Sequence, residues 1–353
     1  MKIVPVLTYI LRATSYGLLT AVVLLILVPD LRSSSSSSLN IFKPVDEKPK
    51  PVSYANAVAK AAPAVVNIYS ESIETNPRYR SRSLQRIKLG SGVIMDSRGY
   101  ILTNYHVVLN ADLITVVLQN QTELTAEVIG SDELTDLAVL KVQANNLPVI
   151  PMDDTLTPLV GDVVLAIGNP LNLGQTITQG IISATGRSGL SSTSYREFLQ
   201  MDAAINDGNS GGALVNSNGD LVGITTAQFK RLNPQINIQG IFFAIPYKLA
   251  KKVMLELISN GRVVRGWLGI SSQRYNWQLK GFVVDDITPG SPAQVAGLQK
   301  DDVVYKIDGA AIVSINQALD IVAETKPGTV LNFSVIRNKN TIEVPVKIVE
   351  LNR

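Results

Sequence analysis

Asp207-Gly208-Asn209-Ser210-Gly211-Gly212-Ala213-Leu214 places one serine among glycines, between two apolar runs. Acyl transfer asks this of a backbone: glycines turn tightly and bring main-chain N–H groups close to a reacting carbonyl. The N–H groups of Gly208 and Ser210 would serve as oxyanion-hole donors, and the Ser210 hydroxyl as the nucleophile. Alone, the stretch also reads as a Gly-rich hairpin turn carrying a solvated serine. The rest of the chain decides between the two.

A serine hydroxyl needs a base to take its proton, and the chain has a single histidine, His106, in Thr103-Asn104-Tyr105-His106-Val107-Val108. Thirty residues later, Thr135-Asp136-Leu137-Ala138-Val139-Leu140 sets a carboxylate at the mouth of an apolar, strand-like run. Such a carboxylate can fix the imidazole tautomer and stabilise the imidazolium. By itself Asp136 reads as an ordinary strand-edge carboxylate, and a lone histidine as structural. The order His106, Asp136, Ser210 is that of chymotrypsin-type proteases, not of subtilisins or α/β-hydrolases.

Gly90-Ser91-Gly92-Val93-Ile94-Met95, Gly99-Tyr100-Ile101-Leu102-Thr103-Asn104 leading into His106, Ala166-Ile167-Gly168-Asn169-Pro170 and the serine loop together resemble the HtrA (Deg) family of trypsin-like serine proteases. The resemblance runs from about Val52 to the C-terminus. One N-terminal apolar segment and one C-terminal PDZ-like unit make it similar to the membrane-anchored, single-PDZ branch. The resemblance implies two six-stranded barrels with the triad in the cleft between them, His106 and Asp136 from the first and Ser210 from the second. It implies a homotrimer in the periplasm, held in the inner membrane. Such an enzyme would cleave a membrane-bound anti-sigma factor when C-termini of misfolded outer-membrane proteins occupy the PDZ site. The alternative is a peptide-binding chaperone or scaffold on an inactive protease fold; the complete triad speaks against it.

Composition sets the bounds. The 353 residues are 46% hydrophobic and 17% charged, which gives ample core and two or three folded units. The net charge is only +3, without a basic block interleaved with aromatics, so nucleic acid is not expected as a partner. Cysteine is absent, which removes thiolate metal sites, disulfides and a catalytic cysteine. No metal or cofactor is expected.

The expected organisation is an anchor over 1–30, a linker over 31–53, a trypsin-like domain over 54–262 and a PDZ domain over 263–353. Residues 16–28 are uncharged and almost wholly apolar, behind Lys2 and Arg12, which predicts an N-in orientation. A cleaved signal peptide and a signal anchor both fit. The Val28-Pro29-Asp30-Leu31-Arg32 junction looks uncleavable and favours the anchor, extending back to Ile3. Six serines (33–38) and a charged, proline-rich run to Pro51 can bury no core and read as a tether.

Beyond Ala55, short strands punctuated by Gly, Asn, Asp and Pro predict antiparallel barrels. They fall at 65–69, 91–95, 100–102, 113–118, 124–129, 137–142, 163–167, 177–184, 221–225 and 241–245. Residues 71–88 read as a polar loop. Residues 247–259 read as an amphipathic helix with Leu249, Val253, Met254, Leu257 and Ile258 on one face and a stop at Asn260-Gly261. A small α/β unit follows, with strands at 281–287, 303–307, 330–336 and 341–348 and short helices at 292–296 and 316–324.

Further residues take roles from the resemblance. Gly266-Trp267-Leu268-Gly269-Ile270 matches a PDZ carboxylate-binding loop: Trp267, Leu268, Gly269 and Ile270 would receive a terminal carboxylate on backbone N–H groups while the adjacent strand edge pairs with the peptide. Arg187 matches a loop arginine that supports the active arrangement. Ala204, six positions before Ser210, stands where proteases specific for basic residues carry an acid, so a small apolar residue such as Val or Ala is expected before the scissile bond. Asn209 replaces the aspartate that clip-activated relatives use to receive a new N-terminus. Asp207 departs from the family, which more often has a basic or neutral residue there. A carboxylate aimed at the oxyanion hole would oppose the developing charge, so Asp207 is expected to face solvent.

Overall fold

The computed structural model describes residues 3–27, 53–75, 83–169, 174–187, 198–226 and 240–351. Residues up to Ser53 and from Tyr54 onward form two units. Among the described residues the first holds one helix, α1 (Ile3–Leu27), whose 25 residues rise ~38 Å at ~1.5 Å each, more than a ~30 Å hydrocarbon core. Within it Val6–Leu24 is long and apolar enough to cross a membrane. Its hydroxyls turn inward: Ser15 donates to the Leu11 carbonyl at 2.8 Å and Thr20 to Tyr16 at 2.6 Å. That satisfies these groups without water. Apart from Ser53, the expected linker lies outside the described residues.

The second unit opens with α2 (Ala55–Ala61) and one 3-10 turn (Ala62–Ala64), then enters two closed barrels. The first comprises β1 (Val65–Thr75), β2 (Ser83–Asp96), β3 (Tyr100–Thr103), β4 (Leu113–Val117), β5 (Glu123–Asp132) and β6 (Leu137–Val142), in the order β1-β2-β3-β6-β5-β4. The second comprises β7 (Val163–Gly168), β8 (Thr176–Arg187), β9 (Phe198–Met201), β10 (Ala213–Asn216), β11 (Leu221–Thr226) and β12 (Phe242–Pro246), in the order β10-β11-β12-β9-β8-β7. All pairings are antiparallel. Closure pairs every strand on both sides and leaves no edge for aggregation. The buried residues are branched aliphatics: Val66, Ile68, Ile94, Ile101, Leu137 and Leu140 are each at most 1% exposed.

The expected polar loop over 71–88 is largely strand. β1 and β2 stay paired from Val65↔Val93 out to Thr75↔Ser83. Exposed apolar residues, Ile73 and Ile87, sit along this stretch. Its stability comes from backbone pairing instead of a buried face, so the sequence carries no alternation. β9 and β10 are likewise additions to the expected set.

Helix α3 (Tyr105–Val108) follows β3, and α4 (Tyr247–Asn260) follows β12. Tyr247, Ala250, Val253, Met254 and Leu257 are the buried face of α4, with Leu249 and Ile258 partly buried beside it. The helix packs on β5 and β6 of the first barrel and on β11 and β12 of the second, bracing one against the other. Gly261 ends it in the left-handed conformation (φ 69°), its N–H donating to Leu257 at 2.9 Å.

The C-terminal part has its own core around Phe282, Val304, Phe333 and Val346. Its strands are β13 (Gly266–Trp267), β14 (Ile270–Ser271), β15 (Tyr275–Asn276), β16 (Gly281–Val283), β17 (Asp286–Ile287), β18 (Val303–Ile307), β19 (Ala310–Ala311), β20 (Val330–Arg337), β21 (Asn340–Lys347) and β22 (Val349–Glu350). Helices α5 (Pro292–Val295) and α6 (Ile315–Glu324) are capped by Ser291 and Ser314, which accept from Gln294 and Gln317. The strand expected over 281–287 is divided: β16 pairs with β15 and β18, whereas β17 pairs with β14.

Candidate active site

The barrels meet at the serine loop. Gly211 has φ 83°, and a side chain there would lie 2.2 Å from the Ser91 carbonyl of the first barrel, so only glycine allows this approach. Ser91 is the tie. Its N–H donates to the Ser210 carbonyl at 2.8 Å and its hydroxyl to the Gly208 carbonyl at 2.7 Å, while it accepts the Asn169 N–H at 3.0 Å. Behind the loop the Thr225 hydroxyl donates to Asn209 at 2.7 Å, and Gly211 N–H donates to Thr225 at 2.9 Å. The turn is therefore fixed on both flanks. The Gly208 N–H (φ 100°) has no hydrogen-bond partner among the described residues. A donor held in place with nothing to give to is what an incoming oxyanion requires.

His106 lies in α3, at the end of the first-barrel hairpin, and Asp136 in the turn before β6. Asp136 has φ 56°, which is strained for a non-glycine residue. Its carbonyl accepts Tyr105 N–H at 3.0 Å and the Asn104 amide at 2.9 Å, which holds the turn against the histidine segment. The carboxylate accepts His106 N–H at 3.0 Å and is 2.8 Å from His106 Nδ1. Thr226, at the end of β11, donates its hydroxyl to the same group at 3.2 Å. Asp136 is 1% exposed and accepts in all these bonds, as a carboxylate does. With Nδ1 donating to Asp136, Nε2 on the far side of the ring is left to accept a proton.

His106 and Ser210 line one cleft of about 290 Å3, together with Gly208, Asp207, Val107 and part of β2. Asp207 is exposed on its wall. Ala204 is exposed, with its carbonyl accepting the Thr178 hydroxyl at 2.9 Å. The nearby Asp202 carboxylate accepts Ile181 N–H at 2.7 Å. Arg187 closes β8 opposite Phe198; its side chain and residues 188–197 lie outside the described residues. Ser91, Asn104 and Thr226 hold the arrangement together, and single polar residues of this kind carry no motif of their own.

In the C-terminal part, Trp267, Leu268, Gly269 and Ile270 line one narrow apolar cavity with Phe282, Ile315, Leu319 and Phe333. β14 runs along it, paired on one side with β17. Among the described residues three ion pairs join this part to the rest: Arg265 donates to both oxygens of Asp132 at 2.7 Å, Lys252 meets Glu324 at 2.6 Å, and Arg262 pairs with Glu350.

A double β-barrel in which a histidine held by a buried aspartate shares one cleft with the serine of a glycine-rich loop defines a trypsin-like serine peptidase. Residues 90–224 match the family "Trypsin-like peptidase domain" and residues 266–348 match "PDZ domain". The chain is 48% identical to the serine endoprotease DegS of Escherichia coli K12 over 351 residues, 97% of this chain and 98% of that protein. Among solved structures it is similar to a serine endoprotease from Yersinia pestis, at 48% identity and TM-score 0.69 over 86% of this chain and 99% of that one. It is also similar to the HtrA-type protease AlgW with tripeptide, at 42% identity and TM-score 0.77 over 86% and 98%. The chain belongs to the HtrA family of serine endoproteases, in its DegS-like branch.

Proposed function

We propose that His106, Asp136 and Ser210 are the catalytic triad of this endopeptidase and that its PDZ domain switches it on. Ser210 Oγ attacks the scissile carbonyl carbon and passes its proton to His106 Nε2. Asp136, bound to Nδ1, stabilises the imidazolium. The carbonyl oxygen gains negative charge and is received by the N–H groups of Gly208 and Ser210. Collapse breaks the C–N bond, His106 protonates the departing amine, and water then enters by the reverse steps to release the acyl product. The observation that carries this reading is the unengaged Gly208 N–H beside a histidine already held by a buried carboxylate.

Ala204 would line the pocket for the residue before the scissile bond and select a small apolar side chain. The cavity at Trp267–Ile270 would take a hydrophobic C-terminal peptide, a reading supported by AlgW having been solved with a tripeptide. Bound peptide would shift a resting, misaligned oxyanion hole towards the arrangement supported by Arg187. It can do so only through differential affinity for the two states, typically about 5–150-fold. In the cell the enzyme would be a periplasmic homotrimer anchored by α1, the catalytic and PDZ domains falling at about 54–262 and 263–353. Its substrate would be a membrane-bound anti-sigma factor, and its activators the C-termini of misfolded outer-membrane proteins.

The test is peptide hydrolysis by the full chain against concentration of a hydrophobic C-terminal peptide, as free acid and as amide. The free acid should activate and the amide should not, and Ser210→Ala should abolish turnover with folding unchanged. Turnover in Ser210→Ala would refute the triad, and equal activation by acid and amide would refute carboxylate capture.

A further inference from the structure

Asp207 is left unused by the chemistry above. It is exposed on the wall of the cleft that holds His106 and Ser210, and its carboxylate has no hydrogen bond or ion pair among the described residues. The other walls near it are Ile87 and Leu89 of β2, apolar and respectively 56% and 37% exposed. Lys88, the one lysine or arginine among the described residues lining the cleft, gives its ammonium to the Leu109 carbonyl at 3.0 Å and does not pair with Asp207.

The chemistry of the triad says which part of a substrate passes here. The leaving amine takes its proton from His106, so the segment after the scissile bond runs from Ser210 past His106 and Val107 towards β2. Neither Ala204, on the acyl side, nor Thr226 lines this cleft. We propose that Asp207, Ile87 and Leu89 select the leaving-group side of the substrate, favouring Lys or Arg within about three residues after the scissile bond. A long cationic side chain suits both walls. Its aliphatic stem lies on Ile87 and Leu89 while its charged head reaches Asp207 and stays in water. The proposal rests on the triad assignment, which fixes the direction of the chain through the cleft.

The experiment compares matched peptides with an invariant acyl side and Lys, Ala or Glu at each of the first three leaving-group positions. All reactions contain the activating C-terminal peptide. The enzymes are the full chain, Asp207→Asn and Asp207→Lys, and kcat/KM is read for each pair. Ratios within one enzyme cancel any general influence of Asp207 on the oxyanion. At one position the unsubstituted chain should prefer Lys over Ala by about two- to fivefold, the range of a solvent-exposed ion pair. Asp207→Asn should bring that ratio to about one, Asp207→Lys should move the preference to Glu, and salt should weaken both preferences. Equal ratios in the unsubstituted chain and in Asp207→Asn, with peptide cleaved by both, would overturn the proposal and leave the triad standing. No cleavage of any peptide by the unsubstituted chain would overturn the triad reading and this one with it.

Discussion

Asp132 and Asp136 sit four residues apart in one turn, both buried, and serve opposite ends. Asp132 closes β5 at 7% exposure and takes two bonds from Arg265 across the junction with the C-terminal part, with Thr135 adding its N–H at 3.0 Å and its hydroxyl. Its pair is permanent, because a guanidinium never gives up its charge. Asp136, at 1% exposure, faces an imidazole that can take and return a proton. Burial is nearly equal at the two positions. What separates the structural clasp from the proposed catalytic carboxylate is whether the partner's charge can change.

The largest effect expected from this contrast is on rate. Asp136→Asn should lower kcat on the order of 10⁴-fold by holding the wrong imidazole tautomer, with little change in denaturation midpoint. A loss of stability in step with the loss of rate would make Asp136 a second structural clasp and break the comparison.

Arg265→Met should act in the reverse sense, on stability first. Removing one partner of a buried pair costs about 3–5 kcal/mol, whereas Asp132→Leu combined with Arg265→Met should recover most of it. Chemical denaturation of the single and double variants measures the difference. The pH dependence follows from Asp132. Burial raises its pKa, but the Arg265 hydrogen bonds and charge, aided by Thr135, outweigh that and hold it below the ordinary carboxylate value. Its stabilisation is therefore complete above the unfolded carboxylate pKa of about 3.9 and is lost as pH falls through the lower folded value. The double variant should lose that part of the acid sensitivity. An unchanged acid limb would show that the pair does not govern it.

The smallest effect should come from Thr226→Val, which removes the 3.2 Å hydroxyl bond to Asp136. One neutral donor contributes about 1 kcal/mol, so kcat should fall about three- to tenfold. A KM change at constant kcat would instead assign Thr226 to substrate binding and sharpen the division of labour in the site.

Much of the architecture was legible along the chain because barrel strands encode themselves locally. Near-continuous apolar runs at 137–142 and 163–167 mark strands buried on both faces wherever they later pair. Where both faces meet water the signal vanishes, and the outer halves of β1 and β2 read as loop although the β1–β2 ladder, eleven residues long, continues through them. The glycines of 208–212, the lone histidine and the strand-entry Asp136 were likewise visible, since their residue types are restricted by backbone geometry and chemistry.

The sequence by itself determined most of the elements, their order and the candidate reactive side chains, because each depends on near neighbours. Only the tertiary structure decided which polar groups meet. Ser91 reaches Gly208 across 117 positions, Thr226 reaches Asp136 across 90, and Arg265 reaches Asp132 across 133. No local pattern records such pairs, because each partner is an ordinary polar residue until barrel closure and the packing of α4 bring the two together. The role of a buried carboxylate is then set by that partner. It depends on contacts made in space.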